Sequence, residues 1–376
     1  MPFRLVAWAT FVLAMAAQAD TAAVWTEATG QGQSLRAVVS GECPTATVDG
    51  SPVQLTQRIA PDATFPYRTC QAALPAGTKA ASIDDHAVPV RPAQTNRIVV
   101  LGDTGCRLKD GFIQDCNDPV QWPFAAVAAH AAAEKPDLVI HVGDYYYRET
   151  PCPAARKGCA GSPFGDAWPS WEADFFTPAK PLLAAAPWVF VRGNHEQCGR
   201  GAAGWFRFLD AGAAPLTCPA ASQAFVVPLD GARLYVLDSA DTEDDKAPAA
   251  KVALFRHQLD ALEPMLSSGT GWVLTHRPIW GFTPERSGEV GETDELPVNK
   301  TEQAAAKGED LDGIQLIVSG HVHFFAATSF GPGRPAQLIV GNGGDIRDGE
   351  VPEPQSHRID VAGMPAQTFV IERFGY

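Results

Sequence analysis

Five short segments of this 376-residue chain each close on a side chain able to grip a metal ion: Gly102-Asp103-Thr104-Gly105, Gly143-Asp144-Tyr145-Tyr146-Tyr147, Gly193-Asn194-His195-Glu196, Val273-Leu274-Thr275-His276 and Gly320-His321-Val322-His323. Four directly follow or finish an apolar run that reads as a buried strand, and the third follows the shorter Trp188-Val189-Phe190-Val191. In open α/β sheets ligands collect outside the carboxyl ends of the strands. A lone Asp after a strand is ordinary turn chemistry. Five such ends, jointly offering two Asp, one Tyr, one Asn and three His, predict a framework that gathers strand ends around a metal centre.

The remaining pattern agrees. From Asn96 onward, strand candidates at Ile98–Leu101, Leu138–Val142, Trp188–Val191, Leu234–Leu237, Trp272–Leu274, Leu316–Val318, Leu338–Val340 and Phe369–Ile371 alternate with helix patterns at Pro123–Glu134, Trp171–Phe176 and Val252–Leu266. That alternation predicts an α/β layered sandwich, two sheets flanked by helices. Residues 20–95 instead show short alternating segments broken by Gly and Pro, such as Ser34–Val39 and Ala46–Asp49, which predict a small N-terminal β module. The linker Val90–Thr95 leads from it into the 96–376 domain.

Residues 1–19 carry Arg4, an apolar stretch from Leu5 to Ala16 and a small-x-small end at Ala17-Gln18-Ala19, the pattern of a cleaved export signal. The run is shorter than the roughly 20 residues a membrane anchor needs. A periplasmic or secreted protein without a membrane anchor after cleavage is expected. Eight cysteines suit that compartment as disulfides. Pairing neighbours in order gives Cys43–Cys70, Cys106–Cys116, Cys152–Cys159 and Cys198–Cys218, and the last three would staple loops beginning just after metal motifs. Paired cysteines leave oxygen and nitrogen as the ligands. The net charge of −14 becomes −15 when Arg4 leaves with the signal. Such acidity disfavours nucleic acid as a partner, because nonspecific binding needs Lys and Arg against phosphates.

The donors divide unevenly. Hard trivalent ions prefer anionic oxygen, while borderline divalent ions accept imidazole and amide. One site gathers Asp103, Tyr147 as tyrosinate and a His; the other takes Asn194 and two His; the two oxygens of Asp144 bridge them. This asymmetry favours Fe(III) beside a divalent ion.

As an ordered set, Asp-x-Gly, Gly-Asp-x-x-Tyr, Gly-Asn-His-Glu, Val-x-x-His and Gly-His-x-His resembles the purple acid phosphatases within the calcineurin-like metallophosphoesterase superfamily. The superfamily more commonly carries Asp-x-His in the first block; here Gly105 replaces that His and Tyr147 appears after Asp144. The resemblance implies Asp103, Asp144, Tyr147 and His323 on the ferric ion, and Asp144, Asn194, His276 and His321 on Zn, Mn or Fe(II). It implies a catalytic His195 donating to the substrate phosphate or the leaving oxygen. Asn194 and His195 then also contact a small phosphorylated substrate. Two cations about 3.5–4 Å apart can clamp the attacking and departing oxygens, and metal-bound hydroxide replaces a protein nucleophile. An acidic optimum follows from a trivalent ion.

The chain departs from the family where further His residues are expected, nine and ten positions after His276. Glu285 and Arg286 stand there, and a guanidinium fork at Arg286 suits a phosphate oxygen. The N-terminal module is also shorter than the fibronectin-like domain of plant-type enzymes. The expected activity is hydrolysis of phosphate monoesters. The alternatives are a phosphodiesterase or nucleotide hydrolase using the same two ions, and a non-catalytic exported binding protein, against which every ligand position holds a competent residue. Outside the motifs, His141 reads as a core histidine, Asp241-Thr242-Glu243-Asp244-Asp245 as a solvated loop, and Asp238 as a weak candidate for orienting a ligand His.

Overall fold

The computed structural model describes residues 20–84, 86–109, 111–262, 264, 270–284, 295–309, 311–347, 355–361 and 363–376. The expected export signal and Arg286 lie outside these residues. Two large sheets face each other. The seven-stranded sheet runs Thr56–Ile59, Arg68–Leu74, Gly32–Val39, Thr21–Thr29, Trp188–Phe190, Leu138–His141, Ile98–Leu101. The eight-stranded sheet runs Phe225–Pro228, Arg233–Val236, Gly271–Leu274, Ile314–Ser319, Ala336–Val340, Phe325–Ser329, Met364–Ile371, Gln355–Val361. This is the α/β sandwich that the alternating pattern predicts.

The strands sort their side chains by face, as a two-residue period requires. Leu138, Ile140, Val142, Val189 and Val191 point between the sheets and meet Val236, Leu274 and Val318. Val139, Trp188 and Phe190 point the other way, into a cluster with Phe124, Ala128, Ala131, Phe175 and Leu182 from the covering helices. On the far side of the second sheet, Phe255, Leu259 and Ala305 from two helices pack on Tyr235, Val273 and Ile317. Each fully buried aliphatic side chain contributes roughly 1.5–3 kcal/mol relative to exposure. Strands buried on both faces read as continuous apolar runs, which is why these were visible in the sequence.

Among the described residues, 20–95 contain strands and no helix. Ser51–Gln54, Thr45–Val48, Ala81–Ile83 and His86–Val88 make a small sheet of their own. The other four strands continue the first large sheet, and Thr21–Thr29 lies parallel to Trp188–Phe190 with Glu27 opposite Trp188. All four disulfides join neighbours in sequence order.

The helical pattern at Trp171–Phe176 belongs to a longer run. An α-helical turn at Trp168–Trp171 passes into a π-helix at Glu172–Phe176 and then an α-helix at Thr177–Leu183. Pro178 and Pro181 have no N–H to donate, which suits the wider turn, and single π turns often sit beside functional sites. Here it swings Asp174 into the interior. Helices at Ala202–Phe208 and Lys300–Ala306 are additions that apolar periodicity did not reveal, each only 7 residues long.

Candidate metal centre

The three parallel strands Trp188–Phe190, Leu138–His141 and Ile98–Leu101 deliver Asn194, Asp144 and Asp103 from one sheet. The adjacent parallel strands Gly271–Leu274 and Ile314–Ser319 deliver His276, His321 and His323 from the other. The backbone at the meeting point is strained. Asp103, Asp144 and His321 have φ of 54°, 59° and 70°, a left-handed region that non-glycine residues enter at about 1–3 kcal/mol each. Gly143 follows with φ 106°, and a Cβ there would collide with the His276 ring. Gly143 lets these two loops converge.

All seven expected ligands come together. Tyr147 Oη lies 3.0 Å from Asp103 Oδ1, 2.8 Å from Asp144 Oδ2 and 3.3 Å from His323 Nε2. His323 Nε2 is 3.4 Å from Asp103 Oδ1. On the other side, Asn194 Oδ1 lies 2.9 Å from both His276 Nε2 and His321 Nδ1, and His276 Nε2 is 3.2 Å from Asp144 Oδ2. Asp144, His276 and His321 offer ligand atoms within 4.8 Å of one another. Asp144 thus faces both halves.

The donor chemistry fits a pair of cations. His276 Nδ1–H donates to Val142 O at 2.8 Å and His323 Nδ1–H to Ile346 O at 2.6 Å, so each ring turns the lone pair of Nε2 toward carboxylate oxygen. Two lone-pair surfaces at that range repel unless a proton or a metal ion lies between. Burial works against a charged His276, yet Asp144 raises its pKa to about 9; the pocket demands positive charge there, from a proton or a metal. Burial and the charges of Asp103 and Asp144 push the Tyr147 phenol well above its ordinary value. A phenolate in that position requires a cation stronger than anything the chain supplies.

Several supporting residues carried no role in the sequence reading. Glu196, which closes the third motif, accepts from the backbone N–H groups of Gly193, Asp144, Tyr145 and Tyr146 at 2.9–3.1 Å. One buried carboxylate therefore holds two ligand loops in register. Asp174, carried inward by the π turn, accepts from Tyr147 N at 2.9 Å and Cys106 N at 3.1 Å and pairs with Arg148. Asp345 receives the Arg107 guanidinium, whose centre lies 5.0 Å over the Tyr147 ring. The Asn342-Gly343-Gly344 turn places Asp345 against the first motif, its N–H donating to Asp103 O at 2.9 Å.

His195 packs on Tyr147, ring centroids 3.7 Å apart. Its Nδ1 lies 2.7 Å from Glu149 Oε1, beside Arg200, and its Nε2 3.9 Å from Asp144 Oδ2. Burial lowers its pKa to about 3, even against the nearby Asp144 and Glu149, so the ring is neutral. His141 is a satisfied interior histidine: Nδ1 accepts from Gly143 N at 3.2 Å and Nε2 meets Thr104 Oγ1 at 2.9 Å. Asp238 pairs with Arg192 at 3.2 Å and serves the strand-end framework. The acidic run Asp241–Asp245 is not simply solvated, because Asp244 Oδ2 lies 3.0 Å from His321 Nε2.

A family model described as calcineurin-like phosphoesterase matches residues 96–325. No curated protein matches the sequence at a significant level. Among solved structures, purple acid phosphatase PPD1 from yellow lupin (Lupinus luteus) seeds is similar at 14% identity, with 93% of this chain and 70% of that chain covered and a TM-score of 0.52. A structure of PhoD is similar at 14% identity, 90% and 78% coverage and a TM-score of 0.50. At such identities the likeness is one of fold.

Proposed function

The chain belongs to the calcineurin-like phosphoesterase family, and we propose that this phosphoesterase hydrolyses phosphate monoesters at a centre of one ferric and one divalent ion. The observation that carries the reading is Tyr147 Oη, set against both Asp103 and Asp144 and beside His323. Asp103, Tyr147 and His323 form the oxygen-rich half suited to Fe(III), and Asn194, His276 and His321 the half suited to Zn, Mn or Fe(II). Asp144 serves both. When bound, the ions supply charge for the phosphoryl oxygens and acidify a water.

The chain's own residues orient the rest. Glu196 fixes the two loops that present Asp144 and Asn194. Glu149 and Arg200 flank Nδ1 of His195, which turns Nε2 toward the Asp144 side, where the substrate phosphate or the leaving oxygen would lie. With Arg200 donating to Nδ1, the neutral ring keeps its one proton on Nε2 and offers it as a hydrogen bond to that oxygen. Arg286 completes the proposal as a phosphate ligand. Four disulfides support a periplasmic or secreted enzyme; among the described residues no helix is long and apolar enough to cross a membrane.

The test is a panel of 4-nitrophenyl mono- and bis-esters, run with metal analysis and a visible spectrum. Monoester preference, two ions per chain and a tyrosinate-to-Fe(III) band are expected. A clear preference for the bis-ester would overturn the substrate assignment, and a colourless active enzyme the ferric one.

A further inference from the structure

We propose that Asp244 is a positioning residue for the second ion: it decides which nitrogen of His321 carries the proton, and so leaves Nδ1 free to bind. The inference rests on the two-ion reading above.

His321 has two nitrogens in contrasting company. Nδ1 lies 2.9 Å from Asn194 Oδ1, inside the cluster with His276. Nε2 lies 3.0 Å from Asp244 Oδ2 and 3.1 Å from Arg277 Nη1. These two neighbours pull in opposite directions. A carboxylate draws the proton onto Nε2, exposing the Nδ1 lone pair. A guanidinium donates to Nε2 and so drives the proton to Nδ1, where it would block the ion. Because the tautomer of a ligand histidine follows the partner of its other nitrogen, the balance between Asp244 and Arg277 sets the affinity of this half of the centre. Asp244 also pairs with Arg277 directly through the same Nη1, which gives that guanidinium a carboxylate to donate to in place of the ring.

The loop bearing Asp244 is held for this purpose by one short helix, Lys300–Ala306. Lys300 N donates to Asp244 O at 2.9 Å, and Thr301 N to Glu243 O at 3.2 Å. The Thr301 hydroxyl accepts from Glu243 N at 3.1 Å and donates to Lys246 O at 2.8 Å. Thr242 Oγ1 donates to the buried Glu302 Oε1 at 3.2 Å. Five hydrogen bonds therefore fix a stretch of chain whose composition reads as a solvated acidic loop. None of these residues touches the Tyr147 half.

The experiment measures metal content of the purified holoprotein and Zn(II) affinity at the second site by competition with a chromogenic chelator. The proteins are wild type, D244A, D244N and D244A/R277Q. D244A should weaken second-site Zn(II) binding by about 10–100-fold, the usual loss when a ligand's outer partner is removed, with the visible band retained. D244N keeps an acceptor for Nε2–H and should lose less. Removing the competing donor in D244A/R277Q should recover part of the loss, which loss of a structural ion pair alone would not produce. A D244A affinity within threefold of wild type, or a double variant no better than D244A, overturns the inference. If circular dichroism shows D244A misfolded, D244N against D244N/R277Q makes the same comparison. Wild-type protein holding fewer than two ions would overturn the two-ion reading and this inference with it; two ions in wild type with unaltered D244A affinity would overturn this inference alone.

Discussion

Two groups of acids lie buried in this molecule, and they solve the same electrostatic problem differently. Glu27, on the first strand, is fully buried with Arg36 at 2.9 Å, while Arg58 lies 3.6 Å from Asp210 in the same cluster. Two guanidiniums answer two carboxylates, so the cluster is closed within the chain. Asp103, Asp144 and Tyr147 are equally buried, but the nearest guanidinium, Arg107, is already committed to Asp345. Histidines turned lone-pair-first toward the carboxylates do not close the account. Buried charge that the chain leaves uncompensated is expensive, and the difference separates a structural cluster from one built for an imported cation.

The largest effect is expected of Asp144→Ala. It should release both ions together and lower turnover by about 10⁴-fold or more, since the ions contribute several kcal/mol and each 1.36 kcal/mol is tenfold. Metal analysis showing that one ion stays would refute bridging. His195→Ala should retain both ions and lose about 10²-fold in kcat, the low end for removing one hydrogen-bond donor to the transition state; an unchanged kcat would remove its donor role. Tyr147→Phe should abolish the visible band with a smaller loss of activity, because Asp103, Asp144 and His323 remain. A coloured variant would mean another ligand carries the tyrosinate role.

The smallest effect on turnover is expected at the closed cluster. Burial raises the Glu27 pKa to about 7 from 4.5, outweighing Arg36 and Arg58, even with Arg36 Nη2 2.9 Å from Oε2. The folded protein therefore holds this proton more tightly than the unfolded chain. The contribution is fully present below pH about 4.5 and is lost as pH rises through about 7, a change of roughly 3 kcal/mol. Urea midpoints for wild type should fall between pH 5 and pH 8 by more than those of Glu27→Gln, with activity unaltered. Parallel pH curves for the two proteins would contradict the assignment.

The seven proposed ligands were legible because each sits at the end of a run whose apolar character is dictated by burial on two faces. Ligand type and strand position are both local properties, and the sequence displays local properties directly. Arg107–Asp345, Asp244–His321 and the reach of Glu196 to four backbone amides are products of loops meeting across the two sheets, and no spacing announces them. The π turn that buries Asp174 was likewise hidden, since Trp171–Phe176 looks helical in either form. The strand Thr21–Thr29 gave no sign of its partner either: Glu27 and Trp188 are opposite each other only after the intervening chain has folded.

That pairing has a kinetic consequence. Thr21–Thr29 forms a hairpin with Gly32–Val39 through local contacts, from Thr29 opposite Gly32 to Thr21 opposite Val39, and then presents its other edge to nothing until Trp188 has been made. At 5–20 residues per second of synthesis, the wait lasts on the order of ten seconds or more. During it the hairpin offers a row of open amides and carbonyls to any passing strand. A molecule that holds its opening segment in the interior of a sheet is one that gains from delaying collapse until the whole polypeptide is at hand.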